Sequence, residues 1–212
     1  MASSSISHLL ENNKKWSEAC CSKDSDYFSK WATSQSPEYF YIGCADSRVS
    51  PDMAMDLPPG SIFVHRNLGG LVNHKDLNAM SCLEYALVLG VKHVIVSGHY
   101  NCGACKGGLL WGPTDGPPLT AATVADVKAV KEMNAAQLEG LPQDQAWDKL
   151  VELNTMNGVK NACTSMPVGN AWKEGKKVAV HGVVYNPADG KLKEICEPIT
   201  GPEGLKSLTD TY

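Results

Sequence analysis

The segment from residue 98 to residue 105 reads G-H-Y-N-C-G-A-C and carries side chains that could do chemistry. Cys102 and Cys105 have the C-x-x-C spacing of a thiol oxidoreductase, which needs a thiol of low pKa at a helix start. His99 and Cys102 instead have the spacing of half a zinc site. The two interpretations predict different proteins, and the redox interpretation leaves His99 without a role.

A second cysteine, Cys44, strengthens the metal interpretation. It ends an apolar segment that reads as a buried strand, and His99 follows another such strand. In an open parallel sheet the carboxyl ends of the strands meet at one rim, so Cys44, His99 and Cys102 are expected to lie together. Two thiolates and one imidazole suit zinc, and three protein ligands leave the fourth position open, as in catalytic sites. Cys105 would supply the fourth ligand of a structural zinc.

Asp46 and Arg48 follow Cys44 in the segment C-A-D-S-R. Two residues apart, they lie on the same side of an extended or turning segment, where the arginine keeps the carboxylate ionised and able only to accept hydrogen bonds. Beside a metal ligand, such a carboxylate would accept the hydrogen bond of a metal-bound hydroxide and orient it. An ordinary surface ion pair is the simpler alternative.

The elements that position these residues alternate between strands and helices. This order predicts an α/β fold with a mostly parallel central sheet flanked by helices. The predicted strands are Tyr39–Cys44, Ser61–Asn67, His93–Ser97, Lys177–Tyr185 and Lys191–Ile195. The predicted helices are Ile6–Lys23, Leu77–Leu89, Val124–Leu138 and Asp144–Cys163. Ser5 or Ser7 is able to cap the first helix, which reads as an amphipathic arm.

Composition narrows the function classes. The chain has 212 residues and a formal net charge of −4, which argues against a nucleic-acid-binding surface and fits a small ligand. Its eight cysteines are irregularly spaced, which favours a reducing compartment over a disulfide framework. Apolar runs are too short to cross a bilayer, so no membrane partner is expected. The first residues lack the pattern of a secretory signal.

Three motifs in the same order resemble the signature segments of β-class carbonic anhydrases. They are C-A-D-S-R-V at 44–49, F-V-H-R-N at 63–67 and G-H-Y-N-C-G-A at 98–104, with a weaker continuation in V-H-G-V-V-Y at 180–185. The resemblance implies a zinc enzyme, with one Zn²⁺ per chain, that interconverts CO2 and bicarbonate by attack of zinc-bound hydroxide on CO2. It implies Cys44, His99 and Cys102 as ligands, and Asp46 with Arg48 as the catalytic pair.

The resemblance is to the plant and algal type, and it implies further substrate-binding residues. These are Gln35, Phe63, Leu68, Tyr85 and Gly103, the last through its backbone N–H. It also implies a homodimer, or an assembly of dimers, in which the active site lies at the subunit interface and the amino-terminal helical arm packs on the partner. We expect one domain over residues 1–212, with the arm at 1–30 and the catalytic core at 35–200. The expected compartment is the cytoplasm, or an organelle stroma if a targeting segment has been removed.

The chain departs from the family pattern after Asn67. Leu68-Gly69-Gly70 stands where a smaller Val or Ala is common at the first position and Asn at the third, so Leu68 is expected to narrow the cleft. His65 is also unusual, and we treat it and His74 as candidate proton shuttles, although a hydrogen-bonded structural role is the simpler one for His65. Two alternative functions stay open: hydrolysis of CS2 or COS on the same scaffold, and a catalytically silent zinc or thiol regulatory protein.

Overall fold

The structure is a computed structural model that describes residues 5 to 211, with side chains described up to residue 206. The first four residues of the predicted arm and residue 212 of the predicted domain lie outside the described residues. The chain divides into two compact units, of which the first ends at Gln35 and the second begins at Ser36. The described helices include none that has the length and apolar character needed to span a bilayer.

The first unit is built on helix α1, Ser7–Lys23. The predicted helix is confirmed, but its predicted cap is not: Ile6 occupies the N-cap position, and no side chain there hydrogen-bonds the helix. Ser5 Oγ instead accepts a bond from Ser7 N–H. None of the residues in Ser7–Lys23 is buried. After a 3₁₀ turn at Ser29–Trp31, the unit ends in irregular structure.

The second unit contains a five-stranded sheet in the order β2-β1-β3-β4-β5. The strands are β1 Tyr39–Cys44, β2 Ile62–Asn67, β3 His93–His99, β4 Ala179–Asn186 and β5 Lys191–Glu194. The first four run parallel and β5 is antiparallel to β4. The α/β fold with a mostly parallel sheet is therefore confirmed, and strand β2 forms one open edge.

Helices connect and cover the strands. They are α2 Pro51–Ala54, α3 Leu77–Val88, α4 Gly103–Leu110, α5 Pro118–Met133, α6 Ala135–Leu138, α7 Gln143–Thr164, α8 Met166–Lys173 and α9 Pro202–Thr211. Asp76 caps the start of helix α3, because its carboxylate accepts from the N–H groups of Asn78 and Ala79. The predicted helix at 124–138 is wrong in extent, because the segment begins with a proline-containing first turn at Pro118 and divides at Asn134.

The main core lies between one face of the sheet and helices α3, α7 and α8. Strand residues that alternate toward this face are almost fully buried: Phe40, Ile42, Val94, Val96 and Val180. A second cluster surrounds the carboxyl end of the sheet, where α4, α5 and α7 contribute apolar residues. This second cluster encloses Cys44 and Cys102, so packing fixes the rim where the predicted ligands lie.

The turn that follows β2 is a close backbone contact. Gly69 and Gly70 both have positive φ, 81° and 62°, which favours glycine. A Cβ at Gly70 would lie 2.9 Å from the backbone oxygen of Ser97 and 3.2 Å from the backbone nitrogen of Cys44. The departure from Asn at this position therefore brings the turn directly against the strands that carry the predicted ligands.

Candidate metal centre

Three elements bring Cys44, His99 and Cys102 together at the rim of the sheet. Cys44 is the last residue of β1, His99 is the last of β3, and Cys102 is the N-cap residue of α4. Their potential ligand atoms all lie within 4.8 Å of one another, and the two sulfur atoms are 4.0 Å apart. All three residues are buried. The structure thus brings together the three residues that the sequence singled out.

His99 is oriented so that one specific nitrogen faces the cluster. Its Nδ1 lies 3.0 Å from the backbone oxygen of Tyr100. A carbonyl only accepts, so Nδ1 carries the proton and Nε2 keeps its lone pair. Among the described residues, Nε2 is one of the few buried side-chain polar atoms without a hydrogen-bond partner. An unpartnered buried acceptor beside two thiols fits the donor set of a zinc site.

The two thiols are held as neutral groups by their surroundings. The hydrogen bond with Cys102, together with burial, raises the pKa of Cys44 to about 12. The hydrogen bond with Cys105 and burial raise the pKa of Cys102 to about 12. A redox C-x-x-C pair needs the opposite, an exposed thiol of low pKa, so these surroundings disfavour the thiol interpretation. Cys105 is buried and lies outside the three-residue cluster.

The Asp46 carboxylate is anchored beside the cluster by Arg48. The guanidinium makes two bonds to the carboxylate, Nε to Oδ1 at 2.9 Å and Nη2 to Oδ2 at 2.8 Å. These bonds hold the pKa of Asp46 well below its usual range. Oδ2 lies 3.8 Å from His99 Nε2, so the carboxylate faces the ligand atoms. Arg66 fixes the backbone of this segment by donating to the carbonyls of Cys44 and Asp46.

The loop between His99 and Cys102 has the geometry that the cluster requires. Asn101 has a φ of 56°, a left-handed conformation that asparagine tolerates better than most residues, and its carbonyl accepts a bond from Arg48. Helix α4 starts at Gly103, so the backbone N–H groups at its start have no acceptor within the helix. A Cβ at Gly103 would meet no atom within 4 Å, so open space adjoins this helix start.

The predicted substrate-binding residues fall into separate places. Leu68 directly follows Asn67, which pairs with Cys44, so Leu68 lies next to the ligands. Phe63 pairs with Phe40, four residues before Cys44, which is about 13 Å along the strand. Tyr85 lies with Phe63, their ring centroids 6.0 Å apart. Gln35 belongs to the first unit and is exposed.

The two candidate proton shuttles differ in their surroundings. His65 is buried, and its Nε2 is without a hydrogen-bond partner within the described part of the chain. His74 Nε2 lies 2.7 Å from the backbone oxygen of Asn161 and 3.2 Å from Thr164 Oγ1. His74 is therefore held by hydrogen bonds, whereas His65 keeps an unused nitrogen.

Two residues that are far from the ligand loop in the sequence contact it in the fold, and sequence reasoning missed them. Trp147 Nε1 donates to the backbone oxygen of Cys102 at 2.8 Å, and Tyr100 donates to Glu152 Oε1 at 2.8 Å. The donor Trp147 and the acceptor Glu152 both lie on α7, 45 and 52 residues along the chain from their partners Cys102 and Tyr100. No spacing rule connects residues so far apart, so only the fold reveals them.

Comparison with known proteins gives one consistent result. A family model described as carbonic anhydrase matches residues 39–192. A carbonic anhydrase of Emericella nidulans is 37% identical over 189 residues, which are 88% of this chain and 82% of that protein. A carbonic anhydrase of Pseudomonas aeruginosa is 33% identical and covers 79% of this chain and 77% of its own length.

Solved structures agree with these relatives. A Coccomyxa β-carbonic anhydrase in complex with acetazolamide is 51% identical, with a TM-score of 0.94 and coverage of 99% of this chain and 96% of that one. A structure from Sordaria macrospora, described as one of two tetrameric β-carbonic anhydrases, is 29% identical, with a TM-score of 0.85 and coverage of 92% and 98%.

Proposed function

This chain belongs to the β-class carbonic anhydrases, and from that premise we propose that it hydrates CO2 reversibly to bicarbonate and a proton. One observation carries the proposal: three buried ligand atoms converge within 4.8 Å beside a carboxylate that Arg48 holds ionised. A purely structural metal site has no use for such an anchored carboxylate. The regulatory alternative is therefore disfavoured.

We propose that Cys44 Sγ, His99 Nε2 and Cys102 Sγ hold one zinc ion. When bound, zinc would act as a Lewis acid that lowers the pKa of a coordinated water toward about 7. Three protein donors of this type leave the fourth position open. The hydrogen bond from His99 Nδ1 to Tyr100 keeps the imidazole in the tautomer that such binding requires.

Asp46 and Arg48 orient the attacking oxygen in this proposal. Because Arg48 keeps Asp46 ionised, the carboxylate can only accept, and it accepts a hydrogen bond from the attacking group. This bond turns the oxygen lone pair toward the carbon of CO2. An anion that carries no hydrogen, such as chloride, cannot donate a hydrogen bond to Asp46. In the same position it would be repelled by the charge of the carboxylate.

Two polar groups and one apolar side chain would receive the substrate. The Gly103 N–H, at the start of α4, faces the developing charge on a substrate oxygen and stabilises it. The resemblance of the chain to the plant and algal type makes Gln35 the second donor in this proposal. Leu68, partly exposed next to the ligands, forms the apolar wall.

Phe63 and Tyr85 are proposed to serve the site of a second copy of the chain. In the register of the sheet Phe63 lies about 13 Å from Cys44 of its own chain, and Tyr85 packs beside Phe63. Phe63 lies on the open edge strand β2, whose outer backbone groups are available for pairing, and Tyr85 lies on α3. Three exposed apolar residues lie on this strand or next to it: Val64 on β2, Leu68 directly after it, and Tyr85 against Phe63. A two-fold dimer at this edge would bring Phe63 and Tyr85 to the partner's zinc site.

Mixed dimers test this arrangement. We expect Cys44→Ser and the double variant Phe63→Ala/Tyr85→Ala each to lose activity alone, but to recover about a quarter of wild-type activity when co-expressed and assembled at random. Half of the dimers are then hybrids, and each hybrid has one intact site. Activity is measured on differently tagged subunits purified together. Hybrids without recovered activity would show that Phe63 and Tyr85 serve their own chain.

Zinc uptake is expected to release about two protons per chain at pH 7, because Cys44 and Cys102 are both protonated before binding, with pKa values near 12. Zinc affinity then rises with pH by up to about 100-fold per unit, and falls as pH falls. Titration of the apo protein in weak buffer with a pH indicator measures the count. Cys105→Ser should also release about two protons, and a count below one in wild type would contradict this prediction.

The proposed activity is tested by stopped-flow CO2 hydration on protein of measured zinc content. We expect about one zinc per chain and rapid hydration, whereas zinc-loaded protein without hydration would contradict the proposal. CS2 and COS are assayed in parallel, because Leu68 beside the ligands could favour a different substrate. A turnover of CS2 or COS that exceeds hydration would establish the alternative activity.

A further inference from the structure

The described contacts of the ligand loop point to helix α7 as its support. We infer that Trp147 and Glu152, both on α7, are positioning residues that fix the zinc ligands Cys102 and His99. This inference rests on the proposed function of the cluster as a zinc centre. Neither side chain is a ligand, and each acts on one ligand through the backbone of the loop.

Trp147 fixes the peptide plane that follows Cys102. The Cys102 carbonyl accepts two hydrogen bonds, one from Trp147 Nε1 at 2.8 Å and one from Lys106 N–H within α4 at 3.0 Å. With both lone-pair directions used, rotation of this peptide unit would break one of the two bonds. The plane sets ψ of Cys102, which is 123°, and with it the direction of the Cα–Cβ bond that leads to Sγ.

Lys106 also holds the Trp147 ring in place. Its ammonium lies over the indole, 5.1 Å from the ring centroid. The same residue thus donates a backbone bond to Cys102 and packs its side chain on the tryptophan. The indole is therefore fixed between α4 and α7.

Glu152 acts on His99 by way of Tyr100. Glu152 Oε1 accepts from the Tyr100 hydroxyl at 2.8 Å and from Lys193 Nζ at 2.8 Å, which joins α7, the loop and β5. The backbone oxygen of Tyr100 accepts from His99 Nδ1, and its N–H donates to the carbonyl of Tyr185. A shift of Tyr100 would therefore tilt the imidazole and move Nε2.

Helix α7 is a suitable platform because half of it is buried. Of its 22 residues, 11 are buried. Trp147, Val151 and Thr155 lie four residues apart and share one face of the helix. A Cβ at Gly98 would meet the Val151 side chain at 3.1 Å, so this face lies directly against the end of β3. The supports of the ligand loop thus belong to a rigid element, as a precise metal site requires.

The first test compares Trp147→Phe with Trp172→Phe. Trp172 is a matched control: it is partly buried, and its Nε1 donates to the backbone oxygen of Val178 at 2.9 Å, away from the ligand loop. Both changes remove one N–H and keep an aromatic ring, so both should lower the melting temperature similarly. Only Trp147→Phe should speed zinc loss to a chelator, by about 10-fold, and alter the thiolate-to-metal absorption band of the cobalt-substituted protein.

The second test asks whether the Glu152 effect depends on hydrogen bonding. Glu152→Ala should speed zinc loss by about 10-fold, and Glu152→Gln, whose amide oxygen can still accept from Tyr100, should restore most of the wild-type rate. Zinc loss and the cobalt spectrum do not depend on CO2 turnover. A wild type that binds zinc without hydrating CO2 would therefore contradict the proposed function alone.

Two results would overturn the inference. One is equal zinc loss in Trp147→Phe, Trp172→Phe and wild type with unchanged cobalt spectra. The other is a wild-type chain that binds neither zinc nor cobalt, which would leave α7 no metal ligands to position. Faster zinc loss with an altered spectrum in Trp147→Phe alone supports it.

Discussion

Replacing Cys44 with serine is expected to remove bound zinc and to lower CO2 hydration by about 10³-fold or more, since the metal supplies several kcal/mol of transition-state stabilisation. Cys44 is one of three ligands, and its sulfur lies 4.0 Å from that of Cys102. Serine keeps the size but not the thiolate that zinc binds strongly. Metal analysis of the purified protein and stopped-flow hydration measure the two losses together.

Cys105→Ser is the matched control for this change. Cys105 is a buried thiol beside Cys102 but lies outside the ligand cluster. The control should keep about one zinc per chain and most of the activity. A Cys44→Ser protein that retains zinc and turnover would contradict the proposed ligand set. A control that abolishes a thiol-exchange activity would instead support the redox interpretation of the C-x-x-C segment.

Replacing Asp46 with asparagine should leave zinc bound and lower kcat by about 10²-fold, the usual scale for a group that positions or accepts a proton in the transition state. Asparagine keeps the shape but loses the charge and offers an N–H₂ group that donates where only acceptance is useful. Arg48 would then lose its ionic partner, to which it now makes two hydrogen bonds of 2.9 and 2.8 Å. Zinc content and the kcat of hydration at pH 8 are measured on the same preparation.

Two further variants interpret the Asp46 result. Asp52→Asn removes an exposed carboxylate in the first turn of α2 and should change nothing. Arg48→Lys keeps the positive charge but not the paired N–H groups, so it should lower kcat by less than Asp46→Asn does. Unchanged turnover of Asp46→Asn near neutral pH would exclude the role given to this carboxylate.

The pH dependence follows from the direction of the Asp46 shift. The bonds from Arg48 lower its pKa, so Asp46 stays ionised from mildly acidic pH upward. Its contribution to stability is present above the unfolded value of about 3.9 and is lost only as pH falls through the lower folded value. A fall in activity between pH 8 and pH 6 therefore reports another group than Asp46.

The strands and the ligand set were predictable because both depend on local pattern and on one general rule. Aromatic and β-branched runs predicted β1, β2 and β3 to within two residues at each end. The convergence of parallel strands at one rim then predicted that Cys44 and His99 meet. The extent of helix α4 was not predicted, because its glycines at 103, 107 and 108 weaken the helical pattern.

Tertiary contacts explain what the sequence could not predict. Gly108 is tolerated in α4 because a Cβ there would meet Val127 of α5 at 2.5 Å, and this close packing outweighs helix propensity. Helices α8 and α9 were missed because each is short and depends on neighbours, such as the Ser165 cap of α8. The contact of Trp147 with Cys102 joins residues 45 apart and follows from the packing of α7 alone.

The open edge of strand β2 connects catalytic activity with the solubility of the protein. Ile62, Phe63 and Val64 form an apolar run on an outermost strand, the kind of edge on which chains aggregate. The polar residues His65, Arg66 and Asn67 follow it within the same strand. If this edge pairs two copies, dilution or a variant that separates them exposes an aggregation-prone strand. Each site then also loses Phe63 and Tyr85 of the second copy. Solubility and turnover should then decline over the same range of protein concentration.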